Sequence, residues 1–398
     1  MSRKQKTSEK KLLIEFARMI AAKKTSTKGI IVGVGDDTAV VRPDPNEDVL
    51  VTTDILVENR HFKRRWFTGY ELGWRLAAVN LSDIASMGGR PLYGILSLAL
   101  PEGLAIDYVR GIERGVRDHL ARYDAAIVGG NVSGIEATLV CDLTLIGACK
   151  KGQAWRRTCQ PGRDAIVVAG YLGQARAGLD LLEKTSRARG LGHREKTTRA
   201  AGIDRPGKPT RSAGIDLSGK STRSAGPLVR AYKNPVPRFD VVRLLAADRA
   251  IRGGSDRAVE KAIHGGGSDR AVGKAIHGAI DVSDGFSTDL IHICEAAGAG
   301  CEVDPRALPV SPALRLHCRR EKKDPLAMAL HAGEDYALIL AVDPKQATSV
   351  VVRIEQGLGI PARIVGRFTK HTGRYLLVQD GSSTPFSSSG WDHLLSRS

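Results

Sequence analysis

The sequence predicts an α/β (α+β) protein of two domains. Three observations carry that expectation: strand-length runs rich in β-branched residues, an amphipathic helical stretch with a glycine-proline stop, and a second such set beyond a polar linker. The 398 residues, 42% of them hydrophobic, suffice for two cores of ordinary size.

Residues 12–20 place Leu13, Phe16 and Ile20 on one face, and Glu15 and Arg18 interrupt the run. It reads as a surface helix and not as a signal-peptide core. Residues 29–34 and 49–55 read as strands. Residues 69–87 read as a helix with Leu72, Leu76, Val79 and Met87 in one stripe, stopped by Gly88-Gly89-Arg90-Pro91. Strands follow at 92–100 and 137–147. After Lys150-Lys151-Gly152 come strands at 165–169 and 278–282, a helix at 287–297 and a strand at 336–342. The expected domains are residues 1–150 and 151–398.

No run reaches the roughly 18 apolar residues of a membrane helix. Six cysteines (Cys141, Cys149, Cys159, Cys294, Cys301, Cys318) form no CxxC or CxxH cluster, so reduced thiols and a cytoplasmic protein are expected.

The net charge of +17 suggests, on its face, a nucleic-acid partner. Residues 184–274 hold 21 Lys and Arg against 8 Asp and Glu, a local net of +13, which leaves +4 for the rest. The basicity belongs to one segment, and neither nucleic acid nor membrane is expected as a partner. That segment repeats: residues 197–204 recur as 209–216, and no aromatic residue stands between Lys184 and Gly226. Such composition buries too little apolar surface to offset ordering entropy, so residues 184–228 read as a disordered or weakly ordered insertion. Residues 255–264 recur as 268–277, making about 253–278 a local duplication too short for a solenoid.

Chemistry is expected where carboxylates close apolar runs. Asp36 and Asp37 follow residues 30–35, Asp54 follows 49–53, and Asp281 and Asp284 bracket Val282-Ser283. Each is also an ordinary turn or helix-cap position. Asp83 tips the balance, because it shares the apolar face of the 69–87 helix, with Asn80 beside it. A carboxylate there costs on the order of several kcal/mol unless paired or metal-bound. A buried Arg would satisfy it, but the other acidic clusters lack evident basic partners, and a divalent cation serves all of them. Asp, Thr and Asn oxygens are hard ligands suited to Mg²⁺, which commonly bridges protein to phosphate. The combination indicates a nucleotide-phosphate site.

Residues 214–221 match GxxxxGK[ST] in full but lie inside the repeat, with no strand before them. The sister copy, Gly207-Lys208-Pro209, puts proline at the hydroxyl position, so the match reads as coincidence. Gly129-Gly130-Asn131 reads as a turn whose amides could approach a phosphate. His61 alone reads as an ordinary residue, and Glu334-Asp335 before a strand is ambiguous.

Seven motifs, in order, resemble the thiamine-monophosphate kinase family: Gly33-Val34-Gly35-Asp36-Asp37, Thr52-Thr53-Asp54, His61-Phe62, Asn80-Leu81-Ser82-Asp83, Gly129-Gly130, Ile280-Asp281-Val282-Ser283-Asp284-Gly285 and Gly333-Glu334-Asp335-Tyr336. Pro235-Val236-Pro237-Arg238 and Gly390-Trp391-Asp392-His393 are similar as well. The family belongs to the aminoimidazole-ribonucleotide-synthetase-like ATP-binding superfamily. The resemblance implies an N-terminal α+β domain that forms a dimer barrel with its twin, and a C-terminal α/β domain. It implies transfer of the ATP γ-phosphoryl group to thiamine monophosphate, giving thiamine diphosphate. Several Mg²⁺ would be held by Asp36, Asp37, Thr52, Thr53, Asp54, Asp83, Asn131, Asp281 and Asp284. ATP would lie against Gly130, Asn131, Arg156 and Ser283, and the thiamine end against His61, Glu334 and Trp391. No general base is implied, since the accepting phosphate oxygen is already ionised. Asn131 stands where the family carries Asp, and Ala332 where it carries Gly.

Two other readings stay open: another ATP-dependent enzyme of the superfamily, or a non-catalytic nucleotide-binding homologue. A selenophosphate synthetase would need a reactive cysteine near the N-terminus, whereas the first here is Cys141. A hydrogenase-maturation dehydratase would end in Cys, whereas this sequence ends Ser396-Arg397-Ser398.

Overall fold

The structure, a computed structural model, describes residues 29–32, 38–188, 225–245 and 275–388. A short antiparallel pair, β1 (Ile30–Val32) and β2 (Val40–Val41), precedes the first sheet. That sheet has the order β3-β6-β4-β5, built from β3 (Glu47–Val57), β4 (Arg90–Pro101), β5 (Ala126–Ile135) and β6 (Val140–Lys150). Helices α1 (Gly69–Ser86) and α2 (Ile106–Ala121) pack against it.

Local chemistry sets α1. The Thr68 hydroxyl accepts the Glu71 amide while the Glu71 carboxylate accepts the Thr68 amide, a reciprocal cap. Its stripe, Leu72, Leu76 and Val79, is buried. Against α2 the contact is made by glycine: a Cβ at Gly73 would stand 1.9 Å from the Ile112 carbonyl oxygen, and one at Gly115 2.2 Å from that of Tyr70. No other residue allows the two backbones to touch.

The second sheet follows the order β13-β12-β9-β11-β7-β10-β8. Its strands are β7 (Ala165–Ala169), β8 (Ile276–Asp281), β9 (Gly300–Val303), β10 (Leu338–Val342), β11 (Ala362–Thr369), β12 (Tyr375–Gln379) and β13 (Ser382–Pro385). Every residue of β7 and β10 is buried, as expected for continuous apolar strands covered on both faces. The helices of this half are α3 (Gln174–Ala188), α4 (Ala225–Lys233), α5 (Phe239–Leu245), α6 (Phe286–Ala297), α7 (Pro312–Glu321), α8 (Pro325–His331) and α9 (Pro344–Leu358).

Several sequence expectations need correction. Asp54 does not end its strand but sits inside β3, which runs on to Val57. Gly129 and Gly130 form no turn; β5 continues through them, and the irregularity is a register shift opposite Gly94 and Ile95. Residues 336 and 337 precede β10, because Tyr336 takes a left-handed φ of 51°. Lys184 to Ala188 complete α3, and Leu228 in α4 is buried, so both edges of the expected insertion are ordered helix. The helix expected at 12–20, the P-loop-like match and the repeats lie outside the described residues, apart from the last residues of the second duplication, which enter β8. All six cysteines are free and buried. Among the described residues no helix is long and apolar enough to cross a membrane.

Candidate active site

Three carboxylates from three elements, Asp54 of β3, Asp83 of α1 and Asp281 of β8, lie near enough to act on one another's charge. Asp54 lies on the side of β3 that also carries Thr52 and Leu56. The Thr52 hydroxyl donates to Asp83 Oδ2 on α1 at 2.5 Å. The adjacent Ser82 donates to Oδ2 of Asp281, the last residue of β8, at 2.6 Å. One helix therefore ties the carboxylate of the first sheet to that of the second.

Charge is poorly compensated there. Burial raises all three carboxyls above the usual range; Asp83 and Asp281 push Asp54 further, and Asp83 pushes Asp281. Arg157 and the Thr52 and Ser82 hydroxyls pull the other way. Asn80, fully buried, donates Nδ2 to the Leu76 carbonyl at 3.0 Å, but its Oδ1 finds no donor among the described residues. Under-compensated carboxylates and an unmet amide oxygen fit a hard cation. Among the described residues no three His, Cys, Asp or Glu side chains close on one point. Asp54, Asp83, Asp281 and the Asn80 amide are the groups here that could each offer an oxygen to such a cation.

The loop after β8 is clamped. The Val282 amide donates to Ala337 O at 2.8 Å, Glu334 to Ser283 O at 2.8 Å and Tyr336 to Val282 O at 2.9 Å. A Cβ at Gly333 would lie 2.2 Å from the Ser283 carbonyl oxygen, so this crossing needs glycine. Glu334 and Tyr336 adopt φ of 66° and 51°, a left-handed backbone that costs about 1 kcal/mol or more at each. Asp289 on α6 accepts the Asp284 and Gly285 amides, both at 3.1 Å. Burial, with Asp281 and Asp284 close by, pushes it up to about 8. The Asp335 carboxylate accepts amides of Gly173 and Ala175 at the start of α3, and burial pushes it up to about 7.

A second group gathers around Arg75 of α1. Its guanidinium donates to the Glu334 carboxylate and the Tyr232 carbonyl and lies 4.7 Å from the Tyr232 ring. The Tyr232 hydroxyl donates to His61 O at 3.2 Å, and His61 Nδ1 accepts the Val57 amide at 2.9 Å. His61 and Glu334 thus share one neighbourhood.

Other expected residues stand apart. Thr53 points to the opposite face of β3, beside Asp142 at 3.2 Å and Thr144 at 3.1 Å, because successive strand residues alternate. Asn131 is exposed on β5, three strand spacings or about 14 Å across the sheet from β3, and its Oδ1 accepts the Val132 amide. Gly130 lies one residue before it, and a Cβ there would meet the Leu96 carbonyl oxygen at 2.1 Å. Arg156 is exposed, and its carbonyl accepts the Ala279 amide; the neighbouring Arg157 is the one whose charge acts on Asp83 and Asp281. Asp36, Asp37 and Trp391 lie outside the described residues. Sequence reasoning missed Arg75, Arg157 and Asp289. Arg75 carried the same signal as Asp83, a charge within an apolar helical stripe.

Residues 35–149 match the family signature of the AIR synthase related protein N-terminal domain, and residues 265–379 that of its C-terminal domain. The chain belongs to the AIR synthase related family. Within it, the particular likeness is to thiamine-monophosphate kinases. That of Aquifex aeolicus is 29% identical over 356 residues, covering 88% of this chain and 94% of the relative. The crystal structure of thiamine-monophosphate kinase from Stenotrophomonas maltophilia K279a is 27% identical, with a TM-score of 0.68 over 94% of this chain and 97% of that one. AaThiL complexed with AMPPCP and TMP is 25% identical, with a TM-score of 0.65 over 99% of each chain.

Proposed function

We propose that the chain is a kinase that transfers the γ-phosphoryl group of ATP to the phosphate of thiamine monophosphate, giving thiamine diphosphate in the biosynthesis of that cofactor. The observation that carries this reading is the mutual proximity of Asp54, Asp83 and Asp281, linked through α1 and drawn from both family-matched regions. The relative complexed with AMPPCP and TMP supports the pair of substrates.

The accepting phosphate oxygen is ionised at neutral pH, so the obstacle is repulsion between two anions and not proton removal. Thr52, Asp54, Asp83, Asp281 and Asp284 would hold Mg²⁺, joined on the family resemblance by Asp36, Asp37, Thr53 and Asn131. Bound there, Mg²⁺ would neutralise phosphate charge and favour in-line transfer. Ser82 and Asp289 keep the Asp281–Gly285 loop in place. Gly130, Ser283 and the Arg156-Arg157 pair would face ATP, and His61, Glu334 and Trp391 the thiamine end.

The same reading includes a homodimer formed through residues 1–150, a second region at 151–398, and a cytoplasmic location. On the face of the first sheet away from α1, Val49, Val51, Ile55 and Ile95 are 49, 68, 49 and 36% exposed. An apolar surface of that kind suits a second copy of the sheet. The test is direct: the purified chain, with ATP, MgCl₂ and thiamine monophosphate, should form thiamine diphosphate and lose activity in EDTA. Folded protein that makes no thiamine diphosphate at saturating substrates sinks the reading.

A further inference from the structure

Arg75 is fully buried between Leu72 and Leu76 in the apolar stripe of α1, and its Nε has no acceptor among the described residues. A buried guanidinium with an unmet donor is a poor way to stabilise a core, and a well-packed apolar side chain is often as good or better. What the pair does provide is placement. Arg75 binds Oε1 of Glu334, whose left-handed backbone donates its N–H to Ser283 O. The Glu334 side chain keeps 33% of its surface exposed and binds Arg75 through Oε1. Seven residues further along the same helix, Ser82 holds Asp281. Seven residues of α-helix span about 10 Å. One face of α1 therefore spaces a fixed carboxylate, Glu334, from the phosphate-side carboxylates.

We infer that Arg75 is a positioning residue for substrate recognition. It holds the Glu334 carboxylate in one orientation through Oε1, with Oε2 turned to the cationic ring of a substrate whose phosphate lies a helix-set distance away. The inference rests on the thiamine-monophosphate reading above.

Steady-state kinetics of the full chain test it, varying ATP and thiamine monophosphate separately. Arg75→Met should raise KM for thiamine monophosphate tenfold or more, leave KM for ATP within twofold, and leave the melting temperature unchanged or higher. Arg75→Lys, which keeps the charge, should recover part of the loss. Combined with Glu334→Gln, the Arg75→Met defect should not multiply, since both act through one carboxylate. A KM for thiamine monophosphate within twofold of the parent, equal rises for both substrates, or multiplying defects would each overturn the inference. If Arg75→Met does not fold, the ratio of the two KM values in Arg75→Lys decides: a rise confined to thiamine monophosphate supports the role, and an unchanged ratio rejects it. A parent that phosphorylates thiamine monophosphate beside an unshifted variant rejects this inference alone. A folded parent without that activity removes the functional reading, and this inference with it.

Discussion

Ser82 on α1 donates its hydroxyl to the Asp281 carboxylate on β8 at 2.6 Å, across 199 positions of sequence. Asp281 is 2% exposed, and burial and Asp83 both disfavour its charge. The hydroxyl is one of the few groups that favour the ionised form, and it also fixes the rotamer of the carboxylate.

Ser82→Ala should therefore lower turnover about tenfold and raise the Mg²⁺ concentration needed for half-maximal rate. Stability should change by only about 1 kcal/mol, the value of one hydrogen bond. A Mg²⁺ titration and a thermal melt check both. An unchanged Mg²⁺ dependence would make the bond incidental.

Asp54 gives a sharper separation of activity from stability. Burial and the charges of Asp83 and Asp281 raise its carboxyl in the folded state. A raised carboxyl stabilises fully below its unfolded value, and that contribution fades as pH rises past the ordinary value of 3.8. At pH 8 without Mg²⁺, Asp54→Asn should melt above the parent, while turnover falls roughly a thousandfold, or about 4 kcal/mol. A lower melt with normal turnover would mark Asp54 as structural.

Acid sensitivity is assigned to His119. It is 2% exposed, stacks on Trp74 at 4.0 Å, and donates Nδ1 to the Trp74 carbonyl at 2.9 Å. Burial lowers it from 6.5 to about 4. A depressed histidine leaves stability intact above its unfolded value and removes it as pH falls from 6.5 towards 4, by on the order of 3 kcal/mol. His119→Phe, which keeps the stacking, should flatten the melting profile across that window. A slope identical to the parent's would place the acid sensitivity elsewhere.

The apolar sheet face exposed among the described residues predicts an assembly defect. Val51 is 68% exposed there, and Val51→Lys should convert a dimer to monomer in light scattering at micromolar concentration, without loss of the cooperative melt. A parent already monomeric at that concentration would remove the dimer from the reading.

Much of the first half was legible in the sequence, because its signals are local. The Leu72–Leu76–Val79 stripe gives the period of α1, Gly88-Gly89-Arg90-Pro91 marks its stop, and Asp83 stands out by breaking that stripe. What escaped depended on partners far away in sequence. Arg75 meets Glu334 over 259 positions, and no local pattern encodes that pairing. Thr52 and Thr53 looked interchangeable until strand alternation put them on opposite faces. Gly129 and Gly130 looked like a turn because glycine punctuates chains, yet here they continue β5, and the close approach at Gly130 is to the neighbouring strand β4.

The glycine contact between α1 and α2 bears on mechanical tolerance. Side chains meeting side chains have slack, because rotamers can readjust by an ångström when a neighbour changes. Where Gly73 rides on the Ile112 carbonyl and Gly115 on that of Tyr70, no side chain intervenes to take up the error. Arg75, Ser82 and Asp83 all ride on that helix, so their spacing is held by main chain and insulated from drift in the surrounding hydrophobic residues. The same rigidity makes the joint brittle: one methyl group at Gly73 would force the helices apart and move all three of those side chains at once.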